Sequence, residues 1–597
     1  MADPTPLVAN HPNLAPPSPV RLADHSAGPR MILLSGMAIV IGAISSGVAY
    51  LLLWLINVIT NLAFYQRWSA EEVTPQGHHL GWWVVAVPVT GALIIGLMAR
   101  FGSEKIRGHG IPEALESILL GRSLIHWKVA LLKPISAAIS IGSGGPFGAE
   151  GPIIMTGGAF GSLFAQRFHL SAAERKTLLV AGAAAGMAAI FATPVAAVLL
   201  AVELLLFEWK PRSFIPVTVA ASVAAVLRVT LLGEGPIFPV EAHQSVTGAV
   251  VACAALVGVL TGFGSGLVTT IVYGMEDAFR KLPVHWMWWP AIGAVVVGIG
   301  GVWDPRVLGV GYETIHSLLR GEVVGVAVVG LLVIKTLVWS TALGSGTSGG
   351  VLAPLLTIGC SLGAAMSVWL PAGDASTWAL IGMAAMMSGS MRAPLTAMVF
   401  AIELTHDFNL LPALMMACAA SFGVVVLIIR RSILTEKLAR RGQHITCEYS
   451  IDPFEFVLVR QVMDEEVPTV PAATTLEEYC QRIGDNDDLL AKRQAAFLSD
   501  EEGRLVGIIT RGDVVRAMQE EDSHSLTLAS VGSTQLIVSY PDEPLNIALA
   551  KMLQHDIGRL PVVDPTRSSQ VVGYLGRAAI LSARLRLHQE ESVRKKG

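Results

Sequence analysis

The segment GSGGPFGAEGPIIMTGGAFGS, residues 142–162, carries one carboxylate, Glu150, among glycines and apolar side chains. An acid in so apolar a run is costly at membrane depth and is usually functional there. The residues around it point to a broken helix. Glycine permits close backbone approach, and proline fits a first helical turn. At such a break the unpaired N–H groups and the positive helix end favour an anion. A carboxylate beside them can take the anion's place, then leave when protonated or displaced. That is the chemistry of a gate. The competing reading is that Glu150 only caps its own helix.

The pattern recurs downstream. AGAAAGMAAIFATPVAAVLLAVEL at 181–204 matches IGMAAMMSGSMRAPLTAMVFAIEL at 381–404, a shift of 200 residues that pairs Gly182 with Gly382, Pro194 with Pro394, Ala197 with Ala397 and Glu203 with Glu403. Upstream, GPFGAEGP lies against TSGGVLAP, pairing Gly148 with Gly350 and Pro152 with Pro354. Helix packing alone does not require glycine and proline clusters at matching places in both halves. Two broken helices meeting around an anion near the membrane midplane do. Glu203 and Glu403, being equivalent, read as structural groups at helix ends. Lys133 and Lys335 lie in apolar runs and read as members of structural ion pairs, Lys133 with Glu113.

The elements that position these residues follow from composition. Of 597 residues, 52% are hydrophobic and 15% charged, too apolar for an ordinary soluble protein. Runs such as MILLSGMAIVIGAISSGVAYLLLWLI can cross a hydrocarbon core of roughly 30 Å as helices; others, such as GGVLAPLLTIG, are short and interrupted. No period-two alternation suggests a β-barrel. The reading is a polytopic α-helical membrane protein with broken helices, followed after residue 445 by a soluble α/β tail. The Pro-rich first 30 residues read as disordered. The basic cluster RRSILTEKLARRG places the tail in the cytoplasm. A net charge of −4 gives no reason to expect nucleic acid, and the five cysteines show no metal-ligand or disulfide spacing. No Ser–His or paired-Asp constellation supports a membrane hydrolase, so no catalytic residue is expected.

These residues resemble the CLC family of chloride channels and chloride/proton exchangers. GHGIPEA (108–114), GAEGP (148–152) and GGVLAP (349–354) are similar to its three anion-site motifs in order, and SILTEKLARRG (432–442) to its final helix. The resemblance implies inverted repeats, a homodimer in the lipid bilayer with one anion pathway per subunit, and chloride as bound ligand with no cofactor required. It implies Glu150 as gate. It also implies an anion site formed by Gly108, His109, Gly110, Ile111, Pro112, Phe147, Gly148, Ala149, Gly151, Gly350, Val351, Leu352 and Ala353. The expected organisation is a disordered segment 1–30 and a membrane domain 31–445, with repeats at about 31–231 and 245–430 and a final helix at about 431–442. A linker at 446–457 leads to the tail at 458–597.

Three side chains depart from the family's usual pattern: His109 replaces a serine, Leu352 a phenylalanine and Leu434 a tyrosine. An imidazole at 109 can donate to an anion and titrates near neutral pH; the other reading is that only its backbone matters. Leu204 follows Glu203 where exchangers carry a second glutamate, which favours passive conduction. The expectation is therefore an anion channel. A chloride/proton antiporter with an unconventional inner proton route is the rival, ahead of a fluoride exporter and of a sensor with a vestigial pore. The tail, from about 458 to 585, resembles a pair of CBS modules. Thr510 and Asp513 match nucleotide-contacting positions of the first; the second has Gly576 and Ala579 there. At most one adenine-nucleotide site is implied, the alternative being a purely structural dimerisation element.

Overall fold

The computed structural model describes residues 28–592 except 120, 122, 241–245, 430–431, 441–453, 455–456, 486, 520–524 and 565–566. The segment 1–27 and most of the expected linker at 446–457 lie outside the described residues.

The membrane domain is two successive sets of helices. The first comprises α1 (Arg30–Tyr65), α2 (Ala86–Phe101), α3 (Ile111–Leu119), α4 (Trp127–Gly142), α5 (Glu150–Gln166), α6 (Ala172–Phe191), α7 (Pro194–Leu200) and α8 (Pro211–Leu232). The second comprises α9 (Gly248–Arg280), α10 (Trp289–Trp303), α11 (Tyr312–Leu319), α12 (Val326–Gly344), α13 (Leu352–Met366), α14 (Ala375–Met391), α15 (Pro394–Thr405) and α16 (Leu411–Ile428). The correspondence is one to one, and among the described residues eight stretches are long and apolar enough to cross a bilayer.

Local chemistry repeats with it. Ser171 and Glu174 form a capping box at the start of α6, with Oγ accepting from the Glu174 amide at 3.2 Å and Oε2 from the Ser171 amide at 2.7 Å. Asp374 caps α14 in the same way, accepting from the Thr377 amide at 2.8 Å. Where α5 crosses α6, a Cβ on Gly157 or Gly161 would collide with the carbonyls of Gly182 and Leu178. Where α13 crosses α14, Gly359 and Gly363 meet Gly382 and Trp378 likewise. Small residues bring both helix pairs into backbone contact. Packing is thus a real role for these glycines, separate from that of the glycines at the helix breaks.

After α16 the chain turns through Ser432–Thr435 into a single helical turn, α17 (Glu436–Ala439), shorter than the helix expected over 431–442; residues 441–442 are outside the described set. In the tail, β1 (Thr469–Pro471) pairs parallel to β2 (Ala495–Ser499), which pairs antiparallel to β3 (Leu505–Thr510). Helices α18 (Leu476–Gly484), α19 (Arg511–Ala517) and α20 (Leu528–Val531) accompany that sheet. The second unit has α21 (Leu545–Gln554), the antiparallel strands β4 (Arg559–Asp564) and β5 (Arg567–Gly576), and α22 (Arg577–Ser592). Each unit buries its own core, around Val470, Leu498 and Ile509 in one and Leu560, Val562 and Leu575 in the other.

Candidate functional site

Three loops that precede helices meet at one place. The Gly350 amide donates to the Gly148 carbonyl at 2.9 Å and the Gly148 amide to the Gly350 carbonyl at 3.4 Å. The same strand joins the first motif, with the Gly108 amide donating to Thr347 O at 2.9 Å and the Gly349 amide to Gly108 O at 3.4 Å. Gly108 and Gly110 both have φ of +91°, which side chains rarely adopt. A Cβ on Gly110 would lie 2.5 Å from the Gly151 carbonyl. Ile111 and Pro112 then open α3, Ala149 precedes α5 and Val351 precedes α13, all fully or almost fully buried.

Glu150 is the first residue of α5 and has no exposed surface. Its Oε1 accepts from the Ala353 amide in the first turn of α13, and the amides of Leu352 and of Glu150 itself also act on the carboxylate. A Cβ on Gly148 would overlap the carboxylate, so only glycine leaves room for this fold-back. Oε2 is buried with no hydrogen-bond partner. The acid therefore sits across two helix N-termini, where a free anion would be favoured.

Not every residue of the three motifs offers its amide to the acid. The Gly110 amide donates to Glu113 Oε2 at 2.8 Å. Those of Phe147, Gly148, Gly108 and Gly350 are taken by carbonyls. These residues build the frame that aligns the motifs, and the amides directed at the acid come from the first turns of α5 and α13.

Lys133 also differs from expectation. Its Nζ donates to the carbonyls of Ile106 and Gly108 at 2.8 and 2.6 Å, pinning the first motif from below. Glu113 is instead paired with Lys437 of α17. Lys335 repeats the arrangement, donating to Val307 O at 2.9 Å. Glu203 and Glu403 take the structural role expected. Glu203 accepts from the amides of Leu395 and Thr396 at 3.2 and 2.8 Å, capping α15. Glu403 accepts from those of Val195 and Ala196 at 3.0 and 2.8 Å, capping α7. Leu204 is buried in a π-helical turn, Ala201–Leu206, that extends α7.

His109 lines a cavity of about 670 Å³ together with Arg107, Glu113, Tyr273, Ile433 and Lys437. It is buried, and its Nδ1 has no partner. Leu434 is wholly buried and contributes no polar group; the hydroxyl on this wall belongs to Tyr273 of α9, which donates to Ile433 O at 2.6 Å. Because α17 supplies Lys437, this is the tail-side cavity. A second cavity, of about 390 Å³, is lined by Asn57 and Thr60 near the end of α1 and by Tyr312 at the start of α11. The end of α9 and the start of α3 line the first cavity. Equivalent parts of the two repeats thus face different cavities, as inverted repeats require.

In the tail, Thr510 Oγ1 and Asp513 Oδ2 are 2.6 Å apart in a capping box at the start of α19, and Asp513 is also paired with Arg516. Among the described residues no group of three or more His, Cys, Asp or Glu is placed to hold a metal ion.

Sequence reasoning missed Lys437 as the partner of Glu113, and it missed Tyr273 and Tyr312. Tyr312 was within reach: GVGYET at 309–314 repeats the glycine spacing of GHGIPE at 108–113, and Gly309 and Gly311 also have positive φ. Lys437 lay hidden in a basic cluster that already had an explanation.

Residues 90–426 match the family model described as voltage gated chloride channel, and residues 459–520 and 528–586 each match the CBS domain. The voltage-gated ClC-type chloride channel ClcB of Escherichia coli O81 (strain ED1a) is 29% identical over 398 residues, covering 65% of this chain and 90% of the relative. Among solved structures, a slow cyanobacterial Cl−/H+ antiporter aligns with a TM-score of 0.62 at 22% identity, over 70% of this chain and 99% of its own. A eukaryotic CLC transporter aligns at 0.60 and 20% identity, over 92% of this chain and 98% of its own. The broken helices, the inverted repeat and the family match agree: this chain belongs to the CLC family, as a multi-pass integral membrane protein of anion transport with a C-terminal pair of CBS domains.

Proposed function

We propose that the protein is a chloride channel in which Glu150 is the gate. One observation carries this reading: the Glu150 carboxylate lies folded across the N-termini of α5 and α13, bound to the Ala353 amide, with its second oxygen unpartnered. An incoming anion competes for the same donors, and a proton removes the charge that holds the side chain there. Either event frees the site. The wall formed by His109, Tyr273 and Ile433 then sets the tail-side access, and the buried Leu204 supplies no acid for proton delivery.

The antiporter reading keeps one specific support. His109, with its free Nδ1, and Glu113 line one cavity on the tail side of Glu150. The fluoride-exporter and vestigial-sensor readings have no comparable feature. The tail is assigned to the cytoplasm because basic residues, Lys437 and Arg440 among them, directly follow the last apolar helix. The functional unit is taken to be a homodimer. An adenine nucleotide at Thr510 and Asp513 would have to open the capping box that now joins them.

The test is the reversal potential of the purified protein in liposomes under opposing chloride and pH gradients. A channel gives a value set by chloride alone. A shift with the pH gradient, abolished by Glu150→Gln, would replace the channel reading with coupled exchange.

A further inference from the structure

We propose that the cavity on the face away from the tail contains a second anion site, with Arg228 as its cation and the Tyr312 hydroxyl as a donor. The proposal rests on the chain's transport of anions but not on Glu150 acting as a gate.

Arg228, near the end of α8, is 8% exposed and lines this cavity. Its Nη1 donates to the Gly233 carbonyl at 2.7 Å, which closes the end of the helix, but its Nε has no partner. No carboxylate lies within salt-bridge distance of it among the described residues. A buried guanidinium without a counter-charge is expensive at membrane depth. Helix capping accounts for one of its donors and leaves the charge uncompensated. An anion in the cavity would compensate it.

The other polar groups point the same way. The Tyr312 hydroxyl is buried without a partner. Its ring is held by edge contacts with Phe191 and Phe238, at centroid separations of 6.1 and 5.8 Å, so it cannot swing away to find one. His316, one helical turn further along α11, lines the cavity with its Nε2 also unpartnered. Tyr312 is within electrostatic range of both Glu150 and Glu72. The acids that line the cavity, Glu72 and Glu313, are exposed, so solvent and salt screen them while Arg228 stays unscreened. The interior of the cavity therefore favours an anion although its rim is acidic. Arginine suits a small anion as a partner because its donors form a fixed fork.

The test uses the full chain in two formats: chloride flux from liposomes as a function of chloride concentration, and calorimetric titration of chloride into detergent-solubilised protein prepared without chloride. Arg228→Gln should raise the half-saturating chloride concentration about tenfold, the order expected for losing one charge-assisted hydrogen bond, and should remove one site from the titration. Arg228→Lys should retain most of both. Tyr312→Phe, which removes only the hydroxyl, should raise half-saturation about threefold. Wild-type half-saturation and an undiminished site count in Arg228→Gln would overturn the proposal. If that variant does not fold, the same result in Tyr312→Phe overturns it. A wild-type chain that moves no chloride, yet loses one site in Arg228→Gln, would sink the transport reading and support this site.

Discussion

The two repeats of the membrane domain are built from the same parts but are not used alike. Where they agree, the residues hold the fold. Lys133 and Lys335 each pin loop carbonyls, Glu203 and Glu403 each cap a helix of the opposite repeat, and the glycines of α5 and α13 each admit a neighbouring helix. Where they differ, the residues face the pathway. Glu150 at the start of α5 answers to Leu352 at the start of α13, and Ile111 answers to Tyr312. His109, between two glycines, answers to Val310. Symmetry marks structure here, and its breaking marks function. The reason is physical. A pseudo-two-fold axis duplicates every supporting contact, but a single ion path running through it has one gate and two different ends.

The largest effects should fall on the symmetric pairs. Glu203→Ala leaves the Leu395 and Thr396 amides without acceptors, and Glu403→Ala does the same to those of Val195 and Ala196. Each loss should cost about 2–6 kcal/mol, since every orphaned backbone donor costs about 1–3 kcal/mol. Thermal denaturation in detergent should show both variants destabilised to a similar extent. A large loss in one and none in the other would break the equivalence of the two caps.

Much of this division was legible in the sequence because it rests on local chemistry. Glu150 stood out as one acid among glycines, and the self-match exposed Glu203 and Glu403 as partners in one role. Gly148 and Gly350 were paired by the repeat, and they do pair through reciprocal hydrogen bonds. What stayed hidden depends on side chains that meet across several hundred residues. Lys437 reaches Glu113 from the last turn before the tail, and nothing in the composition of a basic cluster singles out one lysine. Gly108, Gly110 and Gly148 were assigned to the anion site as motif residues, and their amides are consumed in aligning the motifs. A motif states which backbone is close. It does not state which N–H is already taken.

The asymmetric positions should affect transport rather than folding. Glu150→Gln keeps the shape of the side chain but removes the charge that competes with an anion. A charge-assisted hydrogen bond contributes about 1.5–3 kcal/mol, so chloride flux should rise about tenfold or more where gate opening limits it. Most of the pH response should disappear with it. Flux and pH dependence both unchanged in liposomes would return Glu150 to the set of simple helix caps, beside Glu203 and Glu403.

The smallest effect, and the sharpest probe of the remaining asymmetry, belongs to His109. Its ring lines the tail-side cavity with one nitrogen unpartnered, so protonation there would draw anions towards the site and raise flux as pH falls. Glu150 titrates in the same assay, and the two must be separated. In the Glu150→Gln background, a residual rise in flux of roughly two- to threefold on acidification should remain. Adding His109→Ser should remove it. A residual slope that survives the serine would shift the role to Glu113, the acid that shares the cavity and is tied to the tail through Lys437. No slope at all in Glu150→Gln would mean that position 109 acts through its backbone alone.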